Sequence, residues 1–319
     1  QASYAIHPVD TAQTQLGSLI DRAFEIKADP HSRINAGVLV LDEAEPSLTA
    51  RLLLIENAER SIDIQYYIWR DDTSGLLIIQ ALEQAAQRGV RVRVLLDDIH
   101  SGAITPFLHE LNRYPNVEIR LMNPFLPRGS LVLGLLTDFD RSNRRMHNKS
   151  LTVDNQASSV GGRNIGNDYF LNGHTDILFS DMDLLAVGPI VQDISVRFDN
   201  YWNSDSAYPL ELLENLPRKV PAAVTFDYQP RLPHLQTYFS NATWHGVHAV
   251  VISDSPTKLL GHAAPEELIT HKFRIVFDEP LQEMLLISPY FIPSTELIQS
   301  FAALVEHGVN VQVLTNAYA

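Results

Sequence analysis

The residues best equipped for chemistry fall in one short stretch. His147-Asn148-Lys149 is followed by Asp154, and the run closes on Gly161-Gly162-Arg163-Asn164. An imidazole can act as nucleophile or proton carrier, an ammonium can neutralise an anion, and a carboxamide can donate to it. The alternation after His147 is that of a β-strand, in which alternate side chains share a face. His147 and Lys149 then project side by side. If Asn155-Gln156 is a two-residue hairpin loop, Asp154 pairs with Ala157, Lys149 with Gly162 and His147 with Asn164. Opposed residues have Cβ atoms ~5 Å apart, so His147, Lys149 and Asn164 would converge. Glycines at 161 and 162 would leave a hollow lined by bare N–H groups. Such a hollow suits a phosphate. Asp154 has the opposite strand parity, so it is expected to brace the hairpin or a neighbour rather than touch the anion.

The spacing His-x-Lys-x4-Asp-x6-Gly-Gly-x-Asn closely resembles the signature of the phospholipase D superfamily. Gln65-Tyr66-Tyr67-Ile68-Trp69, the run from Arg88 to Asp98, the run from Phe179 to Pro189 and Tyr201-Trp202 are similar to the bacterial cardiolipin synthase C type within it. The resemblance runs from about Ala36 to Asn203, resumes from about Leu285, and is weak before residue 36. It implies an α/β, phospholipase D-like fold of two related halves, each a mixed sheet flanked by helices.

The resemblance also implies roles. His147 would be the nucleophile of a phosphohistidine mechanism, with Lys149 and Asn164 as phosphate ligands. A second histidine, from the other half, would protonate the leaving oxygen. A carboxylate should hold the far nitrogen of His147, and Asp181 is the candidate, with Asp183 as substitute. The implied activity is phosphatidyl transfer: cardiolipin synthesis from phosphatidylglycerol and another phospholipid at a membrane surface. The same intermediate could pass to water, giving a phosphodiesterase, and the superfamily also contains nucleases. His-x-Lys occurs once among the 12 histidines, so a catalytically incomplete phosphate- or lipid-binding domain is a further alternative. No cofactor or metal is implied. His245 and His248 are three apart but lack a third ligand.

Composition bounds these readings. A 319-residue chain with 45% apolar and 19% charged residues is that of a globular protein large enough for two domains. A net charge of −14 opposes binding to a polyanion, so no nucleic acid partner is expected. Arg141, Arg144, Arg145, Lys149 and Arg163 nevertheless cluster near the motif, as a local cationic pocket on an acidic body would require. Cysteine is absent, which excludes disulfides and thiolate metal sites without fixing a compartment. No apolar run reaches the ~20 residues of a membrane span. Peripheral or anchored attachment to a bacterial membrane is expected, its side left open; Phe125-Leu126-Pro127-Arg128 and Leu131 to Leu136 would dip into the bilayer surface, and a buried core segment is the alternative use of that run. Oligomeric state is left open.

The elements that must position these residues are legible. Helices are expected over Thr14 to Ile26, Leu48 to Arg60, Leu76 to Arg88, Pro106 to Asn112 and from Ile190 through Tyr201; strands over Ser61 to Trp69, Val90 to Asp97 and Val117 to Met122. Strand, helix, strand in sequence predicts a parallel βαβ unit. His307 to Leu314 repeats Arg88 to Leu95, and Tyr290-Phe291-Ile292 repeats Tyr66-Tyr67-Ile68. The domains expected are an N-terminal extension (1–35), a first phospholipase D-like domain (36–205), a proline-rich connecting segment of limited regular structure (206–275) and the start of a second domain (276–319). On this reading the second half is incomplete and the chain is a piece of a longer protein.

Overall fold

The computed structural model describes residues 2–25, 34–124, 144–171, 179–213, 230–272, 282–288, 291–293 and 295–316. It divides into two units, Gln1–Val251 with Ser255–His262, and Ile252–Asp254 with Ala263–Ala319.

The first unit is built on a mixed sheet. Its strands are β1 (Ala36–Leu41), β2 (Ser61–Tyr66), β3 (Arg91–Asp97), β4 (Val117–Met122), β5 (Ser150–Val153), β6 (Ala157–Gly161), β7 (Asp183–Val187), β8 (Ala207–Pro209) and β9 (His245–Val247). Their order is β8-β4-β3-β2-β5-β6-β7-β1-β9. The predicted βαβ units are present: β2, β3 and β4 run parallel. From β2 across to β9 every pairing is antiparallel. Strand parity divides the core between the two faces. Val92, Val94 and Leu96 join the cluster under helices Ala44–Glu56, Thr73–Gln87 and Thr105–Leu111. Leu95 points the other way, towards Phe198, Tyr201 and Trp202 of helix Ile190–Trp202. A sheet covered on both faces explains why β3 reads as a nearly continuous apolar run.

Local chemistry sets the ends of the elements. Asp72 caps helix Thr73–Gln87 by accepting from Gly75 N at 3.1 Å, and Gly89 takes the left-handed conformation (φ +89°) beyond it. Helix Ala44–Glu56 ends four residues earlier than its periodicity predicts. The amides of Glu59, Arg60 and Ser61 are instead held by the Asp154 carboxylate at 3.1, 2.7 and 2.9 Å. β2 likewise stops at Tyr66 rather than Trp69. Ile68 N is taken by the Asn164 side chain, and Trp69 bridges to Ile165.

The stretch read as a connecting segment carries β8 and β9, which pair with β4 and β1 at the two edges of the sheet. The N-terminal residues are also part of this unit. Ser3 O accepts from Arg93 (2.9 Å), Tyr4 O from Arg91 (2.8 Å), Ile6 O from Asn155 (2.8 Å) and Pro8 O from Gln156 (2.8 Å). Leu16 and Ile20 of helix Gln15–Glu25 enter the main core.

In the second unit, β10 (Glu283–Ile287), helix Thr295–Glu306 and β11 (Asn310–Leu314) form another parallel βαβ. Gly308 has φ +83°, matching Gly89 at the corresponding helix end. Met284, Leu304 and Val309 form its core. Leu285, Ile287 and Leu314 are exposed. The ladder equates Ser61 with Glu283, since these pair with Arg91 and Asn310. Ser288 therefore corresponds to Tyr66, and the aromatic repeat falls two residues later than the strand register.

Candidate functional site

The hairpin that carries the motif differs from its expected register by one residue. Val153 pairs with Ala157 and Ser150 with Val160, so the turn contains Asp154, Asn155 and Gln156. Asp154 and Asn155 are both left-handed (φ +53° and +50°), a conformation that short polar side chains tolerate. Gln156 N closes the turn on Val153 O at 3.0 Å. The expected pairs Asp154–Ala157, Lys149–Gly162 and His147–Asn164 are therefore not formed. The ladder begins at Ser150, leaving His147 and Lys149 on irregular backbone leading into β5.

His147 and Lys149 nevertheless meet. Lys149 is buried, and its Nζ lies 3.2 Å from His147 Nδ1 and 3.5 Å from Nε2, while donating to His147 O at 2.8 Å. His147 keeps an exposed edge, but Tyr67 covers one side, ring centroids 4.7 Å apart. Burial of that side, with the charges of Lys149 and Lys258, pushes the imidazole pKa down to about 4. The ring is thus neutral at pH 7, the form that can attack phosphorus. Burial also lowers the Lys149 ammonium to about 8, against the opposing pull of Asp181 and Asp183. It remains mostly charged at neutral pH.

Asn164 is anchored to the segment that follows β2. Its Oδ1 accepts from Ile68 N at 3.0 Å and its Nδ2 donates to Tyr169 Oη at 3.0 Å. This holds the backbone next to Tyr67, whose ring also lies under Lys149 Nζ at 5.7 Å, within cation–π range. Asp97, fully buried at the end of β3, accepts from Met146 N at 2.9 Å and from Ile99 N at 3.0 Å. Spacing alone had not singled out Tyr67 or Asp97. Both lie in stretches that carry the family resemblance, which was the available signal.

The glycines do not line a hollow. A Cβ on Gly161 would strike the Asp183 carboxylate and the backbone of Met182 and Asp183, and one on Gly162 would strike the Asp181 carboxylate. Gly162 N donates to Met182 O at 3.2 Å. The glycines therefore admit the segment that carries the two aspartates, Asp181 just before β7 and Asp183 at its start. Asp181 accepts from Met182 N at 2.8 Å and acts electrostatically on Lys149. Asp183 belongs elsewhere: it is buried with Ser47 (2.5 Å), Arg51 (3.0 Å) and Arg163 (3.4 Å). Asp154 faces away from His147, bound to the three amides that precede and open β2.

The cationic pocket is smaller than the sequence implied. Arg163 is committed to Leu41 O, Asp42 O and Asp183. Arg145 contacts Asp97 at 3.3 Å and Asn123 O at 2.9 Å. Arg141 and the apolar runs Phe125 to Arg128 and Leu131 to Leu136 lie outside the described residues. Among the described residues there is no cluster of three or more His, Cys, Asp or Glu able to hold a metal, and no helix long and apolar enough to cross a membrane.

A family profile described as "Cardiolipin synthase, PLD-like domain" matches residues 52–202. Cardiolipin synthase C of Escherichia coli is 38% identical over 301 residues, 89% of this chain and 63% of that protein. A cardiolipin synthase of Staphylococcus aureus is 26% identical over 265 residues, 82% of this chain and 46% of that protein. The chain thus spans less than two thirds of the length of these relatives. The crystal structure of phosphatidylserine synthase from Haemophilus influenzae superposes with a TM-score of 0.56 at 14% identity, over 93% of this chain and 66% of that one. At that identity the likeness is one of fold.

Proposed function

Since the chain belongs to the phospholipase D superfamily, we propose that it is the His147-bearing part of a phosphatidyltransferase that joins phosphatidylglycerol to another phospholipid to make cardiolipin. The observation that carries this reading is a neutral, solvent-open imidazole with a buried ammonium 3.2 Å from one ring nitrogen. An entering phosphodiester draws the Lys149 ammonium onto its oxygens and releases the ring lone pair that Lys149 had engaged. His147 then attacks phosphorus, the bond to the head-group oxygen breaks, and that oxygen takes a proton from a second acid. The hydroxyl of the acceptor lipid next attacks the phosphohistidine, loses its proton, and the phosphorus–nitrogen bond breaks to restore His147. Lys149 meets the charge that develops on the phosphoryl oxygens. Asn164 serves as the amide ligand, and Asp181 turns towards the far nitrogen of His147 as it becomes cationic. Water in place of the lipid hydroxyl gives hydrolysis by the same intermediate. The family relationship supports peripheral attachment to a bacterial membrane as the setting.

The test is product analysis with full-length protein and vesicles containing labelled phosphatidylglycerol and phosphatidylethanolamine. Wild type yields cardiolipin and a trappable phosphoenzyme. His147→Ala yields neither, and Lys149→Ala loses roughly 10²–10³-fold in rate. Turnover by His147→Ala would place the nucleophile elsewhere.

A further inference from the structure

The turn Ser255–His262 is remote in sequence from the motif and outside the matched residues 52–202, yet it packs on the approach to His147. Leu259 is fully buried in the cluster that holds Met146, together with Leu95 and Met122. Gly261 has φ +75° and lies so close to the Arg144 guanidinium that a side chain there would collide with it. This one turn therefore abuts Arg144 and shares a buried cluster with Met146, the residues that lead into His147. The turn is itself well defined: Ser255 Oγ accepts from Thr257 N, Gly261 N donates to Lys258 O at 3.0 Å, and His262 N to Thr257 O at 3.1 Å. Lys258 lies between these fixed points, adjacent to the buried Leu259. Its charge reaches the His147 ring and adds to that of Lys149 in disfavouring the imidazolium.

We infer that Lys258 is an anion-binding residue of the His147 site, a second cation delivered by the 255–262 turn that shares with Lys149 the charge of a phosphate group presented to His147. The inference rests on His147 being a phosphate site, and not on which lipid is used. A nearby ammonium attracts a phosphate through space and gains strength where protein displaces water. Asp181 and Asp183 are carboxylates whose charges act on the Lys149 side of the same site, so a second cation helps a phosphate anion overcome them.

The test needs no turnover. Inorganic phosphate is titrated into this chain while the His147 ring is followed by NMR, in wild type, Lys258→Gln and Lys258→Arg. Wild type shifts with phosphate. Lys258→Gln raises the His147 pKa and weakens phosphate binding three- to tenfold, and Lys258→Arg stays within twofold of wild type. If Lys258→Gln matches wild type in both readouts, or Lys258→Arg is as weak as Lys258→Gln, Lys258 does not bind the anion. A wild-type His147 that ignores phosphate would instead sink the reading of the site itself. Phosphatidylglycerol vesicles replace phosphate in a second arm. A deficit of Lys258→Gln in both arms assigns the residue to lipid phosphodiesters, and a deficit with the inorganic ion alone assigns it to free phosphate.

Discussion

Met146 donates its backbone N–H to Asp97 Oδ2 at 2.9 Å, which ties the end of β3 to the residue immediately before His147. Arg145 pairs with the same carboxylate, so two consecutive residues ahead of the imidazole are fixed by one buried group. Removing that group takes one acceptor from the Arg145 guanidinium and leaves the amides of Met146 and Ile99 without theirs. Asp97→Ala is expected to lose about 1–3 kcal/mol in urea unfolding, the scale of buried hydrogen-bonding groups left without a partner. A loss below about 1 kcal/mol would show the tie to be slack.

Asp97 also gives stability a pH dependence. Burial, reinforced by Asp98, raises its pKa from 3.8 to about 7, against the pull of Arg145 and the amides of Ile99 and Met146. A raised folded-state value means that its stabilising contribution is complete below pH 3.8 and is lost as pH rises through about 7. Asp97→Asn should flatten the stability profile over that window. An unaltered slope would assign the dependence to other groups.

Activity should show two limbs. The acid limb follows His147 near pH 4 and the alkaline limb follows Lys149 near pH 8, when kcat/KM is measured for the free enzyme. Lys149→Arg moves the alkaline limb beyond reach because guanidinium stays charged. A limb that stays near pH 8 in that variant belongs to another residue.

Adjacent glycines should respond differently to alanine. At Gly161 the new methyl meets the buried Asp183 carboxylate and also backbone of Met182 and Asp183, which cannot swing away, and a cost of about 1–3 kcal/mol is expected. At Gly162 the atoms it meets first are those of the Asp181 carboxylate. That variant should stay folded while Asp181 moves, changing the Lys149 pKa. Equal thermal destabilisation of the two would count against this distinction.

Asp154→Ala strips the acceptor from the amides of Glu59, Arg60 and Ser61. A stability loss of about 2–4 kcal/mol is expected, since bonds to a charged acceptor are worth about 1.5–3 kcal/mol each before water replaces some of them. Thermal unfolding checks it, and a loss shared equally by Asp154→Asn identifies charge as the working element.

Much of this was legible from residue pattern. The βαβ units followed from apolar periodicity; His147 and Lys149 do meet, but on irregular backbone rather than through the strand alternation the spacing suggested. The hairpin register was not legible, because a turn of Asp154 and Asn155 in left-handed conformation is set by polar contacts that no periodicity records. The role of glycines 161 and 162 depended on which strand lies beside them, and β7 arrives from beyond residue 180. Arg163 and Arg145 looked like pocket cations because sequence shows charge but not the aspartates that claim it. Lys258 was hidden in a proline-rich stretch with no period to read.

Much of the hold on the N-terminal segment runs through its backbone: the carbonyls of Ser3, Tyr4, Ile6 and Pro8 each accept from a side chain of the sheet or of the hairpin turn, and the amides of Ser3 and Ala5 donate to Asn203 and Asp199. Every amino acid offers the same oxygen. The segment can therefore drift in composition and still dock, so homologues could share this attachment while their first residues have nothing in common.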